Sequence, residues 1–470
     1  MKHRGLASLA LAGGAVLLGT RLLACTAPSD DGEPQRPTEP TLDGGVTPVP
    51  RDAGRDGAAA TPTKNPFEGW VRWTDFDPSC ETYIPSDAPR MPAPYAWEPC
   101  EPGPEMGGLA CKMARVDWEP DTFVGFDFPR GMRRPGNGLA IATTISTKYG
   151  YLDRIVDLDG PTRFAMLQKD PQNCRLAAFS GLGERFGYAM RTAIDGTPTQ
   201  DALIGGELVD RKPRILQAYK EPDLRTLRMG DDGYIENEGP LTVVDWATGK
   251  RGETIYSPNG SALYNPTHHK GIVSFETGSG TRGSLWTYTR SNKAEVFRSF
   301  GDDETRAAAD LSTDGVDWVW LEGSGKGPAT GGFYPHVRLM TAKVIPGQGG
   351  PPASPRELRG DLYGSPFGTV PWRFGCGYVA RATAVYDAQG NISQPVLIVR
   401  LSDGKGYRVN PRGTVTGTLG GVVGITCDEV VTTGMKIGPS GAIPTMYRIR
   451  LDSLGPGHAL PPPIPSDAGQ

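Results

Sequence analysis

Long runs of basic residues are missing from this chain. Lys and Arg number 49 against 53 Asp and Glu, the formal net charge is −4, and the two signs are interspersed. Such a pattern offers no continuous phosphate-neutralising surface, so nucleic acid is not an expected partner. Histidine is scarce as well, with 5 in the chain: His3, His268, His269, His336 and His458. There is no Gly-x-Ser-x-Gly elbow, no Gly-Lys-Ser/Thr phosphate loop and no pair of cysteines two residues apart. Serine-hydrolase, nucleotide-binding and zinc-ribbon chemistry therefore lack their usual signatures, and no cofactor is expected. Helical periodicity is also rare, which argues against a bundle of amphipathic helices.

What the chain has is glycine (64) and proline (44), the residues of turns. Its N-terminus has a basic start at Lys2, His3 and Arg4, then a mostly apolar stretch from Leu6 to Leu23. The stretch contains Arg21 and several glycines, and falls short of the ~20 apolar residues of a membrane span. It ends in Leu22-Leu23-Ala24-Cys25. These residues resemble the lipobox of bacterial lipoproteins, in which the cysteine is acylated and becomes the first mature residue. The resemblance implies a signal peptide over 1–24 and a lipid such as palmitate on Cys25. Thr26, rather than Asp, follows that cysteine, which by resemblance favours the outer membrane, facing either the periplasm or the cell surface. An ordinary secretory signal cut nearby, or an uncleaved anchor, remains the other reading of the same residues.

Residues 25–66 carry almost no large apolar side chain and are dominated by Pro, Gly, Asp and Thr. Such a segment cannot bury enough surface to offset its ordering entropy, and reads as a disordered tether with an r.m.s. span of roughly 35 Å. Residues 455–470, with Pro461, Pro462 and Pro463, read as a disordered tail. The expected folded domain is thus 67–454.

With Cys25 assigned to lipid, Cys80, Cys100, Cys111, Cys174, Cys376 and Cys427 remain. An even number in an exported protein suits up to three disulfides. Cys80, Cys100 and Cys111 crowd one region and are odd in number, so one of them is expected to reach a distant segment. Cys376 with Cys427 is the pairing favoured.

Within the domain, short apolar runs recur in pairs. They include 138–142 and 151–156, 174–179 and 187–191, 271–275 and 284–289, 315–320 and 336–341, 376–380 and 395–400, and 427–431 and 445–450. Tyr447, Ile449 and Leu451 alternate with Arg448 and Arg450, the period of a half-buried strand. Hairpin turns are expected at Ala247-Thr-Gly-Lys250, Asp387-Ala-Gln-Gly390 and Asp403-Gly404. Between 174 and 271 there is room for two such units. Strand units repeating at roughly 40–50 residues predict an all-β β-propeller of about seven blades, with a pair of β-sandwiches as the alternative. The layout resembles TolB-like and WD40-like propellers over most of residues 70–455. Ser312-Thr-Asp-Gly-Val-Asp-Trp318 is similar to a TolB-type blade entry, and Trp246-Ala-Thr-Gly-Lys250 to an outer hairpin of propellers. Residues 108–118 are expected to supply the strand that completes the last blade, and Trp70 and Trp73 to pin the chain onto the rim.

Metal chemistry has weak candidates. His268 and His269 are adjacent, but no carboxylate or cysteine stands beside them at ligand spacing, so they read as a solvated loop. Asp310, Ser312 and Asp314 alternate like calcium-loop oxygens, yet Leu321 stands at the twelfth position, where a bidentate Glu is needed. A blade turn accounts for them better. Trp318 and Trp320 share a strand face and read as core.

Taken together, the residues lead to an expectation of a lipid-anchored envelope protein that binds or scaffolds through its loops. The expected partner is another envelope protein or a polysaccharide such as peptidoglycan. Two alternatives stay open. One is a carbohydrate lyase or hydrolase whose carboxylates converge in space, and the other is a structural part of an outer-membrane assembly.

Overall fold

The computed structural model describes residues within 65–454, leaving out chiefly the segments 102–109, 117–122, 220–226, 278–283, 326–335, 346–353, 363–371 and 410–420. Cys25 with its lipobox, nearly all of the tether, the tail from 455 and the side chain of Cys174 lie outside the described residues. The described part belongs to one compact unit, Lys64–Gln470. Apart from two short 3-10 turns, Ala88–Arg90 and Pro135–Asn137, its regular structure among the described residues is all strand.

The strands form antiparallel sheets that follow one another along the chain. Sheet 1 is built on Arg130–Arg133, Leu139–Thr147, Gly150–Asp157 and Thr162–Gln168. Sheet 2 comprises Cys174–Leu182, Arg185–Ile194, Thr197–Glu207 and Arg214–Tyr219, and sheet 3 comprises Leu227–Met229, Gly233–Asn237, Leu241–Asp245 and Arg251–Ile255. Sheet 4 holds Leu263–His269, Ile272–Thr277, Ser284–Tyr288 and Glu295–Arg298, and sheet 5 holds Arg306–Thr313, Asp317–Ser324, His336–Lys343 and Arg356–Leu362. Sheet 6 consists of Arg373–Gly375, Tyr378–Ala382, Val396–Arg400 and Gly406–Val409. Sheet 7 begins with Val422–Ile425, Glu429–Gly438 and Gly441–Arg450.

Each sheet packs on the next, because a thin sheet apolar on both faces is stable only between two neighbours. Met132, Ala140, Phe186 and Ile204 join sheet 1 to sheet 2, and Leu241, Ile255, Val273 and Phe275 join sheet 3 to sheet 4. Phe297, Trp318 and Trp320 sit between sheets 4 and 5, with Trp320 fully buried. Leu339, Trp372 and Val379 link sheets 5 and 6, while Ile398, Val430 and Ile449 link sheets 6 and 7. Sheet 7 then meets sheet 1 through Val423, Val431, Met446, Leu139 and Ile141. Full burial of such a Leu, Ile, Val or Phe side chain contributes ~1.5–3 kcal/mol. The innermost strands run so close that a Cβ on Gly131 would lie 2.3 Å from the Val423 carbonyl oxygen.

This is an all-β β-propeller. Sheets 2 to 7 are six regular blades of four or five strands; sheet 1, between sheets 7 and 2 in the ring, has seven. Against the expected count of about seven blades, the regular blades number six. The extra strands of sheet 1 come from the N-terminal side. Trp70–Trp73 and Thr82–Pro85 add to its outer edge beside Thr162–Gln168, and Phe123–Phe126 pairs with Leu139–Thr147. Trp70 and Trp73 are both buried there.

Closure uses the N-terminal side too. Cys111–Arg115 pairs with the outer side of Gly441–Arg450, with Tyr447 opposite Met113, and Glu98–Cys100 extends the sheet. Residues 70–115 therefore edge sheet 1 first and complete sheet 7 afterwards. A disulfide joins Cys100 to Cys111 within that added hairpin. A second joins Cys376 to Cys427, tying a turn of sheet 6 to a turn of sheet 7. Cys80 is disulfide-bonded as well.

Candidate functional site

Closure leaves a groove of about 680 Å³ where sheets 7 and 1 diverge at one end of their strands, with Glu184 of sheet 2 at its margin. Three turns shape it. Arg134 to Gly138 wraps a 3-10 turn in which Gly136 has φ 69°, a left-handed conformation that favours glycine. Asp157 to Gly160 is closed by the Gly160 N–H donating to the Asp157 carbonyl at 3.2 Å. In the third turn, the Thr426 hydroxyl accepts from the N–H groups of Asp428 and Glu429 at 3.2 and 3.0 Å.

The walls are charged. Lys112, Arg448, Arg450, Asp428 and Glu429 come from sheet 7, and Arg134, Asp157 and Asp159 from sheet 1. Lys112 and Arg448 are directly opposite on paired strands, as are Glu429 and Arg450, so all four share the face turned toward sheet 1. The alternation around Arg448 reads from sequence as a half-buried strand with an outward basic side. The structure corrects this for Arg448, which is buried, because a blade has a neighbour on each face.

Two ion-pair groups organise the groove. Arg134 reaches Asp157 at 3.2 Å and Glu184 at 2.8 Å, and Arg163 approaches the same two carboxylates at 3.8 and 3.5 Å. The second group centres on Arg448. Its Nε donates to Glu429 Oε2 at 2.6 Å and its Nη2 approaches the same oxygen at 2.5 Å, while Nη1 and Nη2 meet the two oxygens of Asp159, the latter at 2.9 Å. Its guanidinium lies 5.0 Å from the Trp97 ring centroid. Burial disfavours the charged guanidinium, but the bonds to Asp159 and Glu429 outweigh it and the Arg448 pKa is raised. The partners differ in exposure: the Arg448 and Glu429 side chains are 6% and 11% exposed, Asp159 70%. Among the described residues Lys112 is exposed and has no ion pair.

The N-terminal segment contacts residues of both walls. Trp97 Nε1 donates to the Leu158 carbonyl at 2.9 Å, and the Tyr95 and Thr143 hydroxyls are 2.9 Å apart. Arg154, itself buried, donates to the Val116 carbonyl at 2.6 Å and lies over the Tyr95 ring. This segment therefore fixes both walls.

None of the metal candidates lies in this groove. His268 and His269 occupy the end of a sheet 4 strand, opposite Val273 and Ile272, and His268 is buried. The solvated-loop reading of the pair is corrected, since the apolar pairing partners carry the strand through both histidines. Asp310 has φ 57° at a bulge between Ala309 and Ser312. It receives a 2.7 Å bond from Arg381 Nη1 of sheet 6, and its N–H donates to Glu276 Oε1 of sheet 4 at 2.7 Å. Asp314 Oδ1 caps a turn, accepting from the N–H groups of Val316 and Asp317 at 2.9 Å each. Among the described residues no group of three or more His, Cys, Asp or Glu is placed to hold a metal ion. No residue of the groove was singled out as a site from the sequence. Its acids and bases are far apart in the chain, and only ring closure brings 112, 134, 159 and 448 together.

No protein-family model matches the chain, and no curated protein does either. Solved structures do match. The β-propeller domain of the Trilobed protease from Pyrococcus furiosus, with an open velcro topology, aligns at TM-score 0.42 and 12% identity, over 71% of this chain and 99% of that one. An acylaminoacyl peptidase in complex with a chloromethyl ketone gives 0.45 and 10%, over 70% of this chain. The RRP9 WD40 repeats give 0.39 and 10%, over 75% of this chain and 100% of that one. This chain spans about half of the acylaminoacyl peptidase, at 51%. Likeness at this level does not extend to activity.

Proposed function

We propose that this protein is a lipid-anchored propeller of a bacterial cell envelope, held at the outer membrane through Cys25, that binds or scaffolds a partner through the loops around its charged groove. The observation that carries the reading is the groove itself. It is concave, shaped by turns of sheets 1 and 7 with Glu184 of sheet 2 at its margin, and presents charges of both signs. Loops on a fixed scaffold are where propellers and other β folds place recognition. The carbohydrate-enzyme alternative calls for carboxylates aimed at a reacting bond. Here Asp157, Glu184, Asp159 and Glu429 are each engaged by an arginine.

Recovery of a stoichiometric partner from the solubilised envelope tests the binding reading. Arg448→Ala combined with Lys112→Ala should abolish recovery, and Lys148→Ala, at the opposite end of the sheet 1 strands, should leave it intact. Equal recovery with all three proteins would refute the groove as the contact. Anchoring is tested separately: Cys25→Ala should move the protein from the membrane to the soluble fraction.

A further inference from the structure

We propose that the groove recognises a peptide by its carboxylate, which takes the place of Asp159 on Arg448. This deepens the reading of the groove as a partner site and rests on it.

The two carboxylates on Arg448 are not equivalent. Glu429 is enclosed and bonds to Nε and Nη2, so it orients the guanidinium. Asp159 is largely solvent-exposed and takes the Nη1–Nη2 edge with both oxygens. A guanidinium edge paired with a planar carboxylate is a bidentate site, and an equivalent carboxylate from outside fits the same edge. Water competes for the exposed oxygens of Asp159, so it is the partner an external carboxylate replaces, whereas the enclosed Glu429 stays. Asp159 thus keeps the edge occupied until a ligand exchanges for it.

Lys112 extends the cationic side. It stands opposite Arg448 on the neighbouring strand, exposed and without an ion pair among the described residues. A carboxylate at the Arg448 edge would gain this second cation.

The rest of the lining chooses between classes of acid. Asp157, Asp159, Glu184, Asp428 and Glu429 also line the groove. A polyuronate carries a negative charge on every unit and would meet these carboxylates along its length. A peptide with a free carboxylate and a nearby lysine matches both signs, and the volume is in the range of small-ligand sites.

The test uses the full chain in detergent and calorimetric titration. The probes are the N-acetylated peptide Ala-Lys-Ala-Ala with a free C-terminal carboxylate, the same peptide amidated, and an oligogalacturonate. The free acid should bind about tenfold more tightly than the amide, the loss of one charge-assisted contact. Asp159→Asn should tighten the free acid by about two- to fivefold, because it removes the internal competitor. Arg448→Gln should abolish the preference for acid over amide. A merely structural role for Asp159 predicts weaker binding on Asp159→Asn instead. That result, or equal binding of acid and amide, would overturn the proposal. Preference for the oligogalacturonate would overturn the choice of peptide. If acid and amide bind alike while Arg448→Ala with Lys112→Ala still abolishes recovery of the envelope partner, the carboxylate exchange fails and the groove stands as a partner site.

Discussion

Replacing Arg381 with methionine should destabilise the ring, and neutralising Asp310 in addition should restore much of the loss. The two side chains are 2% and 3% exposed and 2.7 Å apart, across the boundary of sheets 5 and 6. At an effective dielectric of ~20, unit charges at this distance attract by roughly 6 kcal/mol, much of it offset by desolvation. Removing one partner is the costly step, at ~3–5 kcal/mol, because the buried Asp310 carboxylate loses its charge-assisted bond from Arg381. Unfolding entropy of ~2.1 cal/mol/K per residue over 65–454 amounts to roughly 0.8 kcal/mol per degree, so a loss of ~4 kcal/mol lowers Tm by about 5 °C. Arg381→Met with Asp310→Asn should recover at least half of that, since asparagine tolerates the left-handed backbone at this bulge. Scanning calorimetry measures both proteins side by side. A shift under about 1 °C for Arg381→Met, or a double variant no better than the single, would refute the reasoning.

Three further outcomes follow from the same geometry. Cys376→Ser with Cys427→Ser opens a loop with sequence separation 51; its closure is worth ~4 kcal/mol by chain entropy, so the thermal midpoint should fall by several degrees. Tyr95→Phe removes the hydroxyl contact to Thr143 and should cost ~1 kcal/mol, measured as a small fall in midpoint with no change in fold by circular dichroism. The Asp403 carboxyl is lowered from 3.8 to about 2, chiefly by its hydrogen bond from Arg400. A depressed pKa of this kind adds stability above the unfolded value that is lost as pH falls through the folded one. NMR titration of this exposed turn should therefore show Asp403 protonating near pH 2, and a midpoint near 4 would contradict the pairing.

Much of the ring was legible because blade middles announce themselves. The recurring runs at 271–275 and 284–289, 315–320 and 336–341, and 376–380 and 395–400 are the second and third strands of sheets 4, 5 and 6. These strands have neighbours on each side and each face, so they read as apolar runs. Inner and outer strands are shorter or more polar, such as Leu227–Met229 and Arg373–Gly375, and leave weaker traces. The closing strand at 108–118 was legible as an isolated apolar run, and is found as Cys111–Arg115 in sheet 7. Thr82–Pro85 and Trp70–Trp73 were not legible as strands of sheet 1, because so few residues carry no clear alternation. The groove was hidden for a different reason. Asp159 looks like an ordinary turn residue and Arg448 like an outward strand residue; only packing of the last sheet on the first places them in contact.

Site-specific photocrosslinking in intact cells tests the central claim most directly. A photoreactive residue replacing Lys112, in the groove, should give a discrete adduct with an envelope partner, and one replacing Lys148, at the far end of sheet 1, should give none. An adduct from position 148 with none from 112 would contradict the account.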